Sequence, residues 1–583
     1  MVNIKINSIP VQVEEGSSIL NAAKLVNVKI PTLCYSPDLP PWGACGLCIV
    51  RMEGSAKTVR ACTTPVSEGM SVLTHDPEII AVRRTVLELI LSNHPNDCLQ
   101  CPRNGSCELQ TLASEFGIRE ASPFQKISFN RQIDDSNPSI VINPEKCVRC
   151  GRCVKVCQEV QNVWALEFMG RGIKSTISPA AGMLLGESPC IKCGQCASHC
   201  PVGALYEKDD TVQLWSALQD PSVHTVVQIA PAVRVALAEK FGLPPGTLIT
   251  KKIYAALRKI GFKTVFDTNF SADLTIMEEA TELVKRLKDP SSTLPLITSC
   301  CPAWVDYLEK YYPDMIPNFS TAKSPQQMMG AIIKTYWAQK AKINPANIVS
   351  VSVMPCTAKK FEIKRNDDMK SAGFGYDVDI AITTRGLARM IKQAGIELLK
   401  LPDEEADHPL GPYTGAGTIF GVTGGVMEAA VRSAYHFATG KELEEVNFFP
   451  ARGLGGVKEG EVDLDGTKIR IAVAHQMGNI SAVLNKIRAA RDAGQEPPYH
   501  FVEVMACRGG CVAGGGQPYG INDAIRYQRT NGLYTDDQNA ERRCSHNNPY
   551  IAQLYTDFLG NPGSHKSHAL LHTHYENRPL YLK

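Results

Sequence analysis

The C-terminal half of the sequence predicts an α/β fold in which mixed or parallel sheets are covered by helices, and the N-terminal part predicts small cysteine-rich modules. Three observations carry this. Short β-branched segments alternate with helical stretches from about residue 224. Residues 2–13 have the pattern of a β-hairpin. Residues 143–205 contain an internal cysteine repeat.

Composition sets the outer bounds. At 583 residues the chain exceeds one hydrophobic core and divides into several domains. A net charge of +2, with both signs interspersed, gives no basis for nucleic acid as a partner. No apolar run approaches the roughly 20 residues that span a bilayer, so no membrane segment is expected. Twenty-one cysteines would suit a secreted disulfide scaffold. The odd count and the start Met1-Val2-Asn3-Ile4-Lys5-Ile6, which lacks the basic and apolar parts of a signal peptide, point instead to a cytoplasmic protein.

In chain order, Ile4, Ile6, Ile9, Val11 and Val13 alternate with polar residues about the turn Asn7-Ser8, and Ser17-Ser18 caps a helix carrying Ile19, Ala22, Ala23 and Val26. Next comes Cys34-x10-Cys45-x2-Cys48-x13-Cys62, with Gly43 and Gly46 in the loop. A zinc ribbon fits one CxxC with two outlying cysteines less well. Apart from a longer first gap, the run is similar to plant-type ferredoxins. That resemblance implies a [2Fe–2S] cluster in a β-grasp ferredoxin-like domain at residues 1–78.

A helix over about 77–92 leads to His94-x3-Cys98-x2-Cys101-x5-Cys107. Residue types alone leave a zinc site open. The run resembles a [4Fe–4S] site with one histidine and three cysteines in relatives of respiratory complex I and hydrogenases, placed here in residues 79–135. Exchanging a thiolate for neutral imidazole removes negative charge and raises the potential, by analogy with Rieske centres.

The repeat is Cys147-x2-Cys150-x2-Cys153-x3-Cys157, then Cys190-x2-Cys193-x2-Cys196-x3-Cys200-Pro201. It resembles a two-cluster bacterial ferredoxin-like domain, residues 136–210, in which the fourth cysteine of each run binds the other cluster. The resemblance assigns Cys147, Cys150, Cys153 and Cys200 to one cubane, and Cys190, Cys193, Cys196 and Cys157 to another. Gln158 replaces the usual proline after Cys157, and the segment between the halves reads as an insertion.

Beyond, Thr225–Ile229 is a strand ending near Pro231, with helical stretches expected at 232–241 and 250–260. Ile348–Val353 is a strand that delivers Cys356 at its C-terminal end. Asp379–Thr383 precedes a helix from 384, and Ile469–Val473 a helix from 480. Cofactors in such folds sit at the C-terminal ends of the strands.

Three loops carry the chemistry. They are Thr298-Ser299-Cys300-Cys301-Pro302, the stretch from Met354-Pro355-Cys356 to Lys359-Lys360-Phe361-Glu362, and Met505-Ala506-Cys507-Arg508-Gly509-Gly510-Cys511 running on to Pro518. Cysteines so far apart cannot form a local finger. Four thiolates suit a cubane, and glycines let backbone approach a bulky inorganic group. The bland alternative, buried thiols packed as small hydrophobes, does not account for the flanking Gly and Pro.

These loops resemble the signature motifs of the [FeFe], or iron-only, hydrogenases. With four N-terminal accessory clusters the chain is similar to catalytic subunits of the NAD(P)-linked multimeric type. The resemblance implies reversible reduction of protons to dihydrogen at an H-cluster in residues 211–523, with 524–583 a small-subunit-like wrapping tail. Cys301, Cys356, Cys507 and Cys511 are then the cubane ligands, Cys511 also bridging to a di-iron unit with CO, CN and dithiolate ligands. Accessory cofactors are one [2Fe–2S] and three [4Fe–4S] clusters.

By the same resemblance, protons pass Cys300, Glu279, Ser320, Glu282 and Arg286. Without it, the charged segment Ile276–Arg286 would be a solvated helix face. Lys359 is implied to contact a cyanide ligand, and Met354, Met505, Pro231 and Gln326 to line the di-iron pocket. Ala303 and Arg508 depart from the family's commonest wording, which bears on loop conformation, not ligation. The tail's His565, His568, His572 and His574 lack the Glu of a helical zinc motif, so wrapping is expected rather than metal binding. Cys544 belongs to no motif.

No GxGxxG stands in a strand–turn–helix context, which places any nicotinamide chemistry on another subunit. Implied partners are ferredoxin and/or flavin- and NAD(P)-binding subunits, with dihydrogen and protons as substrates. Other readings are an electron-relay subunit related to respiratory complex I, a hydrogen sensor, and a cluster-assembly relative without the di-iron unit. Sensor-type relatives usually lack the first cysteine of the pair, present here as Cys300.

Overall fold

The computed structural model describes residues 1–120, 122–125, 131–464 and 466–582. Part of the expected 79–135 segment thus lies outside the described residues. The chain forms two compact units. One comprises Met1–Val160, Trp164–Ser188 and His199–Tyr206, the other Gln161–Val163, Pro189–Ser198 and Glu207–Lys583.

In the first unit, β1 (Val2–Ile6) and β2 (Ile9–Val13) pair antiparallel. Asn7 and Ser8 turn between them at φ 51° and 68°, the left-handed pair that matches strand twist in a two-residue hairpin. Ile4, Ile6 and Val13 pack on Ile19, Leu20, Ala22 and Ala23 of α1 (Ile19–Leu25). The Ser18 hydroxyl accepts the Asn21 N–H at 3.2 Å, capping that helix. With β3 (Ile49–Met52), β4 (Thr58–Arg60) and β5 (Ser71–Leu73) the sheet order is β2-β1-β5-β3-β4. α2 (Pro77–Ser92) follows, capped by Asp76. The expected insertion holds a small antiparallel pair, Glu167–Met169 with Thr176–Ser178.

The second unit contains two four-stranded sheets. In one, β6 (His224–Ile229), β7 (Thr264–Asp267), β9 (Ile348–Met354) and β10 (Ile380–Thr383) run parallel in the order β7-β6-β9-β10. In the other, β8 (Leu296–Ile297), β13 (Phe501–Met505) and β12 (Thr467–His475) are parallel, and β11 (Val457–Leu464) pairs antiparallel with β12. β6, β9 and β13 are almost wholly buried, so Gln228, Ser350, Ser352 and Glu503 lie in the core beside their apolar neighbours.

Two expected helix bounds are corrected. Residues 232–241 form two short 3₁₀ turns, Pro231–Val233 and Leu237–Phe241. Residues 230–238 are buried throughout, so the segment has no polar face to make it a surface helix. The helix expected from 480 begins three residues earlier, as α10 (Met477–Asp492), because Gln476 turns the chain at φ 67°. The solvated reading of Ile276–Arg286 is overturned as well: α5 (Thr268–Lys288) buries Asp273, Glu278 and Glu279.

The tail starts with α11 (Asp523–Asn539) and later forms α12 (His565–Leu571). Its last residues run along Ser320–Ala322 and α6 (Pro302–Tyr311): Thr573 N–H donates to the Thr321 carbonyl at 2.8 Å, and Arg578 meets Asp306 at 2.6 Å. His572 is buried between Glu278, at 3.1 Å, and the Thr321 hydroxyl, at 2.8 Å. Among the described residues no metal-like group draws on the four tail histidines.

Candidate active site

The three cysteine loops leave the C-terminal ends of β8, β9 and β13, one from the first sheet and two from the second. There they enclose a cavity of about 80 Å³ lined by Cys300, Cys301, Cys356, Cys507 and Cys511. Met354, Met505, Pro231, Gln326 and Lys359 line it too. Local sequence explains each approach. Cys301 is extended (φ −95°, ψ 106°) and caps α6, with Pro302 in the first helical position, where its missing N–H is harmless. Gly510 sits at φ 93°, and a Cβ there would lie 2.6 Å from Thr423 N. A Cβ on Gly514 would lie 2.2 Å from the Pro355 carbonyl. Glycine lets the third loop touch the second.

The donor set fits a cationic cluster. Burial first, and the neighbouring thiols second, push up the proton affinity of Cys356 (to about 12), Cys507 and Cys511; burial raises Cys301. Buried thiolates at such spacing are unfavourable unless metal charge compensates them, and metal binding deprotonates them outright.

A line of ionisable groups leads away from Cys300. Glu279 is fully buried, and burial followed by the charge of Glu282 pushes its carboxyl up to about 8, against the opposing effect of Ser320. Ser320 also donates its hydroxyl proton to Glu282 at 3.2 Å. Glu282 in turn pairs with Arg286 at 2.7 Å, both side chains partly exposed. Cys300 is raised chiefly by burial and then by Glu279. The structure brings the five expected residues together, from the part-buried Cys300 and the buried Glu279 and Ser320 to the partly exposed pair Glu282 and Arg286.

Sequence reasoning missed Glu362. It accepts from Lys359 at 2.8 Å, Gln326 at 2.8 Å and the Ser324 hydroxyl at 2.8 Å, all buried. Burial opposes a charge on Lys359, yet Glu362 keeps its ammonium above the ordinary value, and it also donates to the Cys300 carbonyl at 3.2 Å. The i, i+3 spacing of Lys359 and Glu362 was the available signal. Gln195 was missed too: its amide donates to Cys507 Sγ at 3.1 Å and to the Ala513 carbonyl at 3.2 Å. Only its place between Cys193 and Cys196 hinted at this. Cys193 itself lines the cavity.

The other cysteine groups lie as follows. Cys48 and Cys62 are 3.3 Å apart at sulfur, Cys45 N–H donates to Cys34 Sγ at 3.4 Å, and Cys34 and Cys62 influence each other's ionisation. His94, Cys98, Cys101 and Cys107 line one cavity. The Pro95 carbonyl can only accept, so His94 Nδ1 donates to it at 2.9 Å. Cys147, Cys150, Cys153 and Cys200 line another. Cys190, Cys193 and Cys196 belong to the second unit and Cys157 to the first.

Comparison with known proteins agrees along the chain. The family profile "Iron only hydrogenase large subunit, C-terminal domain" matches residues 223–515, and "Iron hydrogenase small subunit" matches 523–578. The N-terminal part matches a 2Fe-2S iron-sulfur cluster binding domain (1–77), the NADH-ubiquinone oxidoreductase-G iron-sulfur binding region (83–122) and a 4Fe-4S dicluster domain (139–201). The chain is 47% identical to NADP-reducing hydrogenase subunit HndD of Solidesulfovibrio fructosivorans, over 99% of each. It is 39% identical to iron hydrogenase 1 of Clostridium pasteurianum, over 99% of this chain and 100% of the relative. A solved variant of the apo [FeFe]-hydrogenase HydA1 from Chlamydomonas reinhardtii is 42% identical and superposes with a TM-score of 0.57 over 64% of this chain and 100% of that one. The chain therefore belongs to the iron-only hydrogenases: it is an oxidoreductase of dihydrogen, with [2Fe–2S] and [4Fe–4S] domains that relay electrons to an H-cluster fold.

Proposed function

We propose that the chain is the hydrogen-converting subunit of a cytoplasmic complex whose other subunits bind flavin and NAD(P), with ferredoxin as a further electron partner. The reading rests on one observation above all: Cys301, Cys356, Cys507 and Cys511 converge on a single buried cavity in which Cys300 is a fifth thiol. The first four would hold the active-site cubane, and Cys511 would also ligate the di-iron unit. When bound, that cluster supplies the metal site at which protons and electrons combine. The protein's own groups exclude water and move protons. Cys300 holds a proton at Sγ facing the cavity, Glu279 accepts and returns it, and Ser320 and Glu282 connect it to Arg286 near solvent. Lys359, held by Glu362, places a positive charge toward anionic ligands, while Met354, Met505, Pro231 and Gln326 keep the pocket apolar or hydrogen-bonded.

Electrons arrive through one [2Fe–2S] cluster (Cys34, Cys45, Cys48, Cys62) and three accessory [4Fe–4S] clusters. The division of the chain at residues 78, 135, 210 and 523 follows these groups. Gln195, donating to a cubane ligand, stabilises negative charge on that sulfur.

Assigning His94 as a ligand has a measurable consequence. His94→Cys keeps a [4Fe–4S] cluster but lowers its midpoint potential in an EPR-monitored redox titration, because a thiolate adds negative charge. An unchanged potential would make His94 structural. The partner assignment is tested by assay. The isolated chain should evolve hydrogen from reduced methyl viologen yet fail to reduce NADP⁺ with hydrogen, gaining that activity only with its co-purified subunits. NADP⁺ reduction by the isolated chain would overturn it.

A further inference from the structure

In the second unit, remote from the cysteine loops in sequence, two histidines and a glutamate converge. His436 lies in the last turn of α9 (Gly425–Thr439), Glu442 just beyond its Gly440 cap, and His546 in the tail turn Ser545–Asn547. His546 Nε2 is 3.1 Å from both Glu442 oxygens, and His436 Nδ1 is 3.2 Å from one of them. All three ligand atoms lie within 4.8 Å of one another.

Three features distinguish this from a casual ion pair. First, the separations match coordination: a tetrahedral ion about 2.0–2.1 Å from each ligand sets the ligands roughly 3.3 Å apart. Second, the site is braced. His546 Nδ1 is 3.0 Å from the buried Ser433 hydroxyl, and the His546 side chain is only 4% exposed. That contact fixes the ring and leaves Nε2 facing Glu442, the outer-shell arrangement of metal-bound imidazole. Third, His436 Nδ1, although close to Glu442, is buried and forms no hydrogen bond of proper geometry.

We propose that His436, Glu442 and His546 bind one divalent transition-metal ion of borderline softness, with zinc as the representative. Two imidazoles and a carboxylate select zinc, nickel or copper over magnesium or calcium. The rings now stack at 4.2 Å with planes 8° apart. An ion must lie in both ring planes, so His436, which lacks a brace like that of His546, swings out of the stack on binding. Glu442 is 56% exposed, which leaves the fourth position open to water. The ion ties the tail turn to the C-terminal end of α9, where the helix dipole favours positive charge.

The test adds zinc chloride to the anaerobically purified holoenzyme, followed by desalting, metal analysis and zinc K-edge absorption. One zinc per chain with nitrogen and oxygen neighbours is expected, and thermal unfolding should shift upward with zinc concentration. Glu442→Ala, an exposed change that leaves folding intact, should weaken zinc binding at least tenfold while hydrogen turnover stays unchanged. His546→Ala should do the same, with Glu442→Ala deciding if that variant misfolds. Equal zinc in wild type and Glu442→Ala, or zinc with sulfur neighbours, would overturn the site as an adventitious ion only.

Discussion

Cys300→Ala is expected to retain the full iron content and the active-site infrared bands, and to lose hydrogen turnover by roughly 10²–10⁴-fold, the usual worth of a positioned acid–base group. The neighbouring change behaves oppositely: Cys301→Ala loses the active-site cluster itself. The reason is local geometry. Pro302 holds Cys301 extended at the cap of α6, and successive residues of an extended segment point to different sides. Both thiols reach the cavity, but Cys300 alone is also coupled to Glu279. Serine at 300 should relay poorly, its hydroxyl being far less acidic. Iron analysis with infrared spectroscopy separates the outcomes. Normal turnover in Cys300→Ala would end the relay assignment, and cluster loss in that variant with retention in Cys301→Ala would reverse the two roles.

Glu279→Gln should show activity and stability moving apart. Gln keeps the shape and buried polarity but cannot pass a proton, so turnover falls by about 10²–10⁴-fold. Stability responds in the other direction. The folded Glu279 carboxyl is raised to about 8 from 4.5, so the folded state binds the extra proton more tightly. That contribution is complete below about pH 4.5 and is lost as pH rises through about 8. Relative to wild type, Glu279→Gln should therefore gain a few kcal/mol between pH 5 and 8, read from unfolding curves. A pH-independent difference would mean that Glu279 is ionised in the folded protein.

What could be read from the sequence divides along physical lines. The candidate cluster ligands could be grouped from the sequence because their chemistry is carried by residue type and short spacing: His94 through Cys107 need no tertiary knowledge to be grouped. The hairpin at Asn7-Ser8 and the strand delivering Cys356 were legible for the same reason, as local periodicity. The burial of Glu278 and Glu279 was not, since their helix carries charges that by themselves indicate solvent. Residues 232–241 looked helical in propensity, but burial of the stretch through residue 238 accompanies two short turns instead of one surface helix. Gln195 and Glu362 take their roles from groups brought to them by folding: Gln195 meets a cysteine 312 residues away. The cluster of His436, Glu442 and His546 is likewise invisible to spacing, because 104 residues separate its carboxylate from the tail histidine.

Three loops from two sheets build a site for a cubane joined to a di-iron unit, and infrared spectroscopy of the anaerobically matured protein tests this most directly. Bands from metal-bound carbon monoxide and cyanide should be present, and should disappear in Cys511→Ala while the accessory-cluster EPR signals persist. A matured, fully iron-loaded protein without such bands would contradict that assignment and leave an electron relay in its place.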